Sequence, residues 1–339
     1  MVRVLFSYGV PTSTTNPYLK QLASSVEAQP DVEVLYFSWR RALLAPYDVF
    51  HVHWPEIMLE GRTPSRRAVR RLLTLAFCLR LLVTRTPVVR TWHNLERPSG
   101  LPRVDHWILS VLDRLTRLRI RINDSGPVPS DTPAVTIPHG HYRDWFADFP
   151  RSTPVPGRIA FVGRVRRYKG VETLVEAFCG VRDDRLSLVV AGMPSSDELV
   201  EVISGLAGGD PRVHTRFDYL DDAAFAEEIT AAQLVVLPYR HMHNSGTALA
   251  ALSLDCPVLV PDNEVNRRLG AEVGPGWVHL YSGEVDAARL EEAAAAVADP
   301  PPAPPDLSAR AWDLAGRDHA AAYRNAMERR VSSPQGKSR

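Results

Sequence analysis

Phe161-Val162-Gly163-Arg164-Val165-Arg166-Arg167-Tyr168-Lys169-Gly170-Val171-Glu172-Thr173-Leu174-Val175-Glu176-Ala177-Phe178 reads as a buried strand that ends at a glycine and reopens, after a basic turn, as an amphipathic helix. Such a turn brings backbone N–H groups to the crevice beyond the strand ends of a wound α/β sheet, where these sheets bind their ligands. Arg164 and Lys169 add fixed positive charge at that point. Charge of this kind beside free N–H groups can hold a diphosphate. Arg166 and Arg167 read as solvated turn residues.

Outward from this segment the same alternation repeats. Short β-branched or aliphatic runs recur at 2–6, 32–37, 49–53, 88–92, 119–123 and 135–137, and a second series at 158–162, 186–191, 213–215, 234–237, 258–260 and 278–281. Helical patterns such as 171–179 and 223–232 lie between them, so two α/β domains with parallel sheets are indicated. The stretch 149–157 is rich in proline and small polar residues and suits a connection. The boundary is therefore placed between an N-terminal domain, 1–150, and a second domain, 151–306. A proline-rich stretch from Asp299 to Asp306 precedes a last helical pattern, 307–330, which can pack back on the first domain. The tail 331–339 reads as disordered.

The chain has 339 residues, 45% of them hydrophobic and 23% charged, with 40 Lys and Arg against 39 Asp and Glu. That balance gives no global field for nucleic acid or another polyanion. Cys78, Cys179 and Cys256 stand apart, without the spacing of a disulfide framework or a zinc site, and fit reduced, cytoplasmic thiols. The N-terminus lacks the pattern of a signal peptide. The longest apolar stretch, 72–83, contains Arg80 and is too short for a bilayer, which takes about 20 residues.

The segment 161–178 resembles the phosphate-binding signature of glycosyltransferase family 4, part of the GT-B superfamily, and the resemblance extends over most of residues 1–325. It implies two Rossmann-like domains facing across a cleft, with Arg164 and Lys169 holding the donor diphosphate beside Gly163. Leu188-Val189-Val190-Ala191-Gly192 is similar to the family's second donor-domain strand, making Gly192 and Met193 candidate base contacts. The segment 237–258 resembles the family's loop–helix–strand element, in which one Glu approaches the donor sugar and a second, eight residues on, binds ribose. Those positions are Met242 and Ala250 here, and neither is acidic. In their place His243, Asn244, Ser245, Gly246 and Thr247 stand at a predicted helix start, where free N–H groups and hydroxyls can grip a phosphate or sugar oxygen. His241 is an ambiguous loop histidine.

In the first domain, Val49-Phe50-His51-Val52-His53-Trp54-Pro55-Glu56 and Val88-Val89-Arg90-Thr91-Trp92-His93-Asn94-Leu95-Glu96 both end a strand in histidine, aromatic and carboxylate groups. The second run resembles the family's strand-terminal histidine motif, which implies a catalytic place for His93 near the reacting sugar, alongside Arg164 and Lys169. His53, Glu56 and Gly9 are candidate acceptor-side residues, Gly9 through backbone approach to the reacting phosphate. Glu96 and Asp124 are further carboxylates. His139 can reach the cleft, and Gly140 reads as a tight turn. An inverting enzyme needs a carboxylate or histidine base; family 4 favours retention, while the missing acids and the His-Trp-Pro-Glu and Trp-His-Asn runs also resemble bacterial β-mannosyltransferases that invert. Stereochemistry stays open at this point.

Arginines at 62, 66, 67, 70, 71, 80 and 85 interleave with leucines in a segment, 62–85, that suits either an anionic membrane surface or an ordinary core helix with a solvated basic end. The expectation is a cytoplasmic hexosyltransferase, at the inner face of the membrane, moving sugar from a nucleotide donor to a saccharide or polyprenyl-linked acceptor. GDP-mannose is the donor by resemblance alone. No cofactor is expected, and two fixed cations can replace a metal ion. The competing readings are a nucleotide-sugar epimerase or hydrolase on the same scaffold, and a non-catalytic glycan- or nucleotide-binding subunit.

Overall fold

The computed structural model describes residues 1–93, 97, 100–124, 132–240 and 242–331. The chain divides into two compact units, Met1–Gly140 with Arg310–Arg339, and His141–Ala309.

The first unit runs β1 (Val2–Phe6), α1 (Pro17–Glu27), β2 (Val32–Tyr36), α2 (Trp39–Leu44), β3 (Val49–Val52), α3 (Pro64–Val83), β4 (Val88–Trp92), α4 (Arg103–Leu115), β5 (Thr116–Arg121) and β6 (Ala134–Thr136). The second runs α5 (Arg143–Phe146), β7 (Arg158–Val162), α6 (Val171–Cys179), β8 (Ser187–Ala191), α7 (Asp197–Ala207), β9 (Val213–Arg216), α8 (Asp222–Ala231), β10 (Leu234–Val236), α9 (Gly246–Ser253), β11 (Val258–Pro261), α10 (Glu264–Val273), β12 (Val278–Tyr281) and α11 (Ala287–Ala296). The last helix, α12 (Trp312–Val331), belongs to the first unit.

Among the described residues each unit holds one six-stranded parallel sheet, ordered β2-β1-β3-β4-β5-β6 in the first and β12-β11-β10-β7-β8-β9 in the second. Strand order reverses at β1/β3 in the first sheet and at β7/β10 in the second. Those switch points leave a crevice at the strand C-termini, because neighbouring connections cross to opposite faces. The inner strands of the second sheet, β7, β8, β10 and β11, are near-continuous apolar runs because helices cover both faces: Phe161, Val162, Val190 and Val235 are fully buried.

The helix boundaries follow local chemistry. Pro17 and Pro64 open α1 and α3 behind the capping side chains of Asn16 and Thr63, and Ser196 caps α7. α12 packs on α1 through small residues: a Cβ on Gly316 would collide with the Ser25 carbonyl, and Ala315, Ala322 and Ala326 are buried beside it. That close approach places Tyr323 fully inside the first unit, its hydroxyl 2.8 Å from His51 Nδ1.

The domain boundary differs from the sequence expectation. The division falls after Gly140, because Tyr142 and Phe146 join the second core and the proline-rich stretch is tied down by Ser152 N–H to Thr230 Oγ1 (2.8 Å) and Val155 N–H to Ala231 O (2.9 Å). At the other end Leu307 is buried in the second core, so the returning segment begins at Arg310. β5 begins at Thr116, directly after α4, ahead of the expected 119–123. Gly140 is not at positive φ; a side chain there would enter the Trp312 indole, so packing requires this glycine. In the expected tail, Val331 ends α12 and residues 332–339 lie outside the described residues.

Candidate functional site

In the second unit the residues singled out after β7 and β10 meet at the switch point. Gly163, at φ 127°, follows β7 directly, and a Cβ built on it would stand 3.4 Å from Thr247 Oγ1 and 3.7 Å from Lys169 Nζ. The Lys169 ammonium lies over the rings of Tyr239, at 5.1 Å, and Phe161, at 5.7 Å. Burial lowers its pKa to about 8, with Arg166 and Arg164 adding to the decrease. Arg164 is exposed and forms no ion pair among the described residues. Arg167 is committed elsewhere, to Glu198 at 2.8 Å and Glu172 at 3.8 Å, in keeping with a solvated turn residue.

Two glycines close this turn by steric need. A Cβ on Gly170 would strike the Pro238 carbonyl, and one on Gly192 the Gly163 carbonyl. Gly192 thus lets the loop after β8 lie against the loop after β7, where Val165 N–H reaches Met193 O at 3.0 Å and leaves the Met193 side chain 55% exposed. α9 begins behind Ser245, whose Oγ accepts from Ala248 N–H at 3.2 Å. The Tyr239 hydroxyl bonds to Thr247 and Ser245. Gly246 is exposed, facing the Tyr142 hydroxyl, while Asn244 and His243 are half-buried; burial lowers the His243 pKa. Met242 and Ala250 are core residues, 8% and 4% exposed, and the Met242 sulfur accepts from Asn266. Apolar side chains therefore occupy both positions where the family carries acids.

In the first unit the switch point gathers histidines. His53 follows β3 and His93 follows β4, with His53 Nδ1 3.0 Å from His93 Nε2. Trp54 stacks on His93 at 4.2 Å, and Tyr18 meets His93 edge-on at 5.5 Å and His139 at 4.4 Å. Burial holds His53 well below the usual imidazole range, His93 at about 3 and His139 at about 4, so all three are neutral near pH 7. The tautomers follow from the hydrogen-bond network. Among the described residues His53 Nε2 is buried without a partner. A proton there would be an orphan donor, costing about 1–3 kcal/mol. His53 therefore carries its proton on Nδ1 and donates to His93 Nε2, which leaves His93 protonated on Nδ1. His93 is thereby set as a hydrogen-bond donor, a role distinct from that of a base.

His51 is structural, held between Tyr323 and Thr91 at 2.8 Å each. Gly9 is exposed in open space, its nearest would-be neighbour the Phe37 carbonyl at 3.9 Å. Glu56 sits at the start of the 3-10 turn Pro55–Leu59, and burial raises its carboxyl pKa. Asp124 is exposed and 3.6 Å from Arg121. His241 and Glu96 lie outside the described residues. Tyr239 and Tyr18 were not singled out as site residues in the sequence: Tyr239 had the signal of an aromatic just beyond a strand end, and Tyr18 that of a place at the end of the first strand-to-helix loop. Among the described residues no group of three or more His, Cys, Asp or Glu is placed to hold a metal ion.

Residues 156–296 match the family glycosyl transferases group 1. Over 329 residues the chain is 44% identical to the GDP-mannose:glycolipid 4-beta-D-mannosyltransferase of Xanthomonas campestris pv. campestris, covering 96% of this chain and 93% of the relative. Two solved structures share the fold. HepE of Anabaena, in complex with UDP, superposes with a TM-score of 0.59 at 13% identity, covering 98% of each chain. The UDP-GlcNAc 2-epimerase of Neisseria meningitidis, bound to UDP-GlcNAc, gives 0.50 at 14% identity, covering 96% and 100%. A shared fold does not choose between transfer and epimerisation; identity at this level over nearly the whole chain does. The chain belongs to the glycosyl transferase group 1 family and is a GT-B glycosyltransferase that takes its sugar from a nucleotide donor.

Proposed function

We propose that this enzyme transfers mannose from GDP-mannose to a glycolipid acceptor, forming a β-linkage. The observation that carries the reading is the 44% identity to the Xanthomonas mannosyltransferase, which spans both units. From an α-linked nucleotide donor a β product requires inversion, hence a base that takes the acceptor hydroxyl proton. Glu56 is the carboxylate assigned here: it stands three residues beyond His53, at the start of the 3-10 turn that follows β3, and burial raises its pKa. The acceptor oxygen then bonds to the sugar C1 as the C1–O bond to phosphate breaks, its electron pair leaving with GDP and the proton resting on Glu56.

Arg164 and Lys169 neutralise the charge that develops on the departing diphosphate, with Gly163 admitting it close to the backbone. Asn244, Ser245, Gly246 and Thr247 offer hydroxyls and helix-start N–H groups to phosphate or sugar oxygens. Gly192, Met193 and His243 flank the nucleotide, and Gly9 the reacting phosphate. His93 acts near the reacting sugar, and His53, 3.0 Å away, positions it. With two fixed cations in place, metal is not required, and turnover persists in chelator.

The enzyme works at the inner face of the membrane, which it meets through α3. No helix is long and apolar enough to cross a membrane among the described residues. α3 turns Phe77, Cys78 and Leu81 to the core yet leaves Leu79, Leu82 and Val83 at 61%, 60% and 73% exposure, a pattern suited to lying in a lipid surface. Melting the protein with GDP, UDP, ADP and dTDP tests the donor: a ligand at a hundred times its Kd stabilises the native state by about 2.7 kcal/mol. GDP should raise Tm well beyond the other three; a stronger shift with another nucleotide, or none with any, overturns the assignment.

A further inference from the structure

Between the turn Pro55–Leu59, α3 and the start of α4, the first unit opens a cavity of about 1100 Å3. Arg62, Arg66, Arg67 and Arg70 line it from the first turns of α3 and the residues just before them. None of the four has a carboxylate partner among the described residues, whereas the next arginine, Arg71, is held by Asp105 at 2.6 Å. Arg66 and Arg70 are four residues apart and Arg67 and Arg70 three apart, like-charge spacings that cost a helix stability unless an anion lies between them. Glu56 and Glu60 also line the cavity, so the uncompensated arginines outnumber the carboxylates.

The rest of the wall is apolar, from Trp39, Ile57, Leu73 and Leu101. An apolar row leads away from it along α3: Val69, Leu72 and Leu79 are 54%, 68% and 61% exposed and share one face of the helix. A single chain with a polyanionic head fits this plan, phosphate oxygens on the guanidinium forks and hydrocarbon on the row. A planar array of lipid headgroups does not fill a concave site.

Resting on the reading of the acceptor as lipid-linked, we propose that this cavity binds the diphosphate linker of a polyprenyl-linked saccharide. The test is titration calorimetry with farnesyl diphosphate, in saturating GDP so that the second unit is occupied. Arg66→Ala/Arg70→Ala should weaken binding at least tenfold. The charge-matched control Arg268→Ala/Arg289→Ala, at exposed residues of the second unit, should leave it unchanged. Inorganic pyrophosphate and farnesol should each bind more weakly than the ester.

Equal affinity in both variants overturns the proposal. So does pyrophosphate binding as tightly as the ester, which marks a free-phosphate site, or displacement by phosphatidylglycerol vesicles, which marks a headgroup site. The GDP melting shift reports separately on the donor. Retained while farnesyl diphosphate fails to bind, it sinks this inference and leaves the transferase reading standing; lost while farnesyl diphosphate still binds, it does the reverse.

Discussion

Lys169 shows how one side chain serves both fold and chemistry. Its ammonium is enclosed by Tyr239 and Phe161, and that desolvation lowers its pKa from 10.5 to about 8. The sign follows from the charge. The protonated amine binds diphosphate, so affinity for GDP in the free enzyme is full below about pH 8 and falls as pH rises through it. Burial of the cation also costs stability at neutral pH, a cost relieved between about 8 and 10.5. Lys169→Arg keeps its charge throughout, so Kd for GDP measured from pH 7 to 9.5 should rise in the wild type and stay flat in the variant. A flat wild-type profile contradicts the contact. Arg164 and Lys169 were legible in the sequence because strand, glycine, turn and helix are contiguous. Tyr18 and the His53–His93 bond were not, because the groups involved converge from separate connections of the sheet.

At the scale of elements, nearly every strand could be placed from its apolar run, since parallel strands covered on both faces carry a strong local signal. β5 is the exception: its first residues, Thr116-Arg117, look polar, yet Thr116 is buried, its hydroxyl bonded back to Leu112 of α4. The reason for Gly140 was also hidden, because the ring it accommodates, Trp312, arrives from the other end of the chain. α12 is fixed to the first sheet by a polar contact inside an apolar setting, Tyr323 to His51 and His51 to Thr91. Tyr323→Phe leaves the ring packed but strips His51 of a partner in a fully buried place. A loss of about 1–3 kcal/mol is predicted from urea unfolding, with the GDP melting shift unchanged. A neutral outcome would mean that water replaces the hydroxyl.

For the whole molecule, length and alternation imply two α/β units, but the boundary was misplaced because prolines mark a turn without saying which core holds it. Phe149 packs on the second core, and Gly157 N–H is bound by Gln233 at 2.7 Å, so the stretch that reads as a linker belongs to the second unit. The proposed reaction is transfer with inversion from GDP-mannose to lipid. The direct measurement is to incubate the enzyme with radiolabelled GDP-mannose and the glycolipid accepted by the Xanthomonas relative, then extract the lipid and determine the anomer of the new linkage. Label is expected in the lipid as β-mannose, lost with Lys169→Ala and reduced about 100-fold or more with Glu56→Gln, the size of a missing general base. Label released as free mannose, or an α-linkage in the lipid, would contradict it.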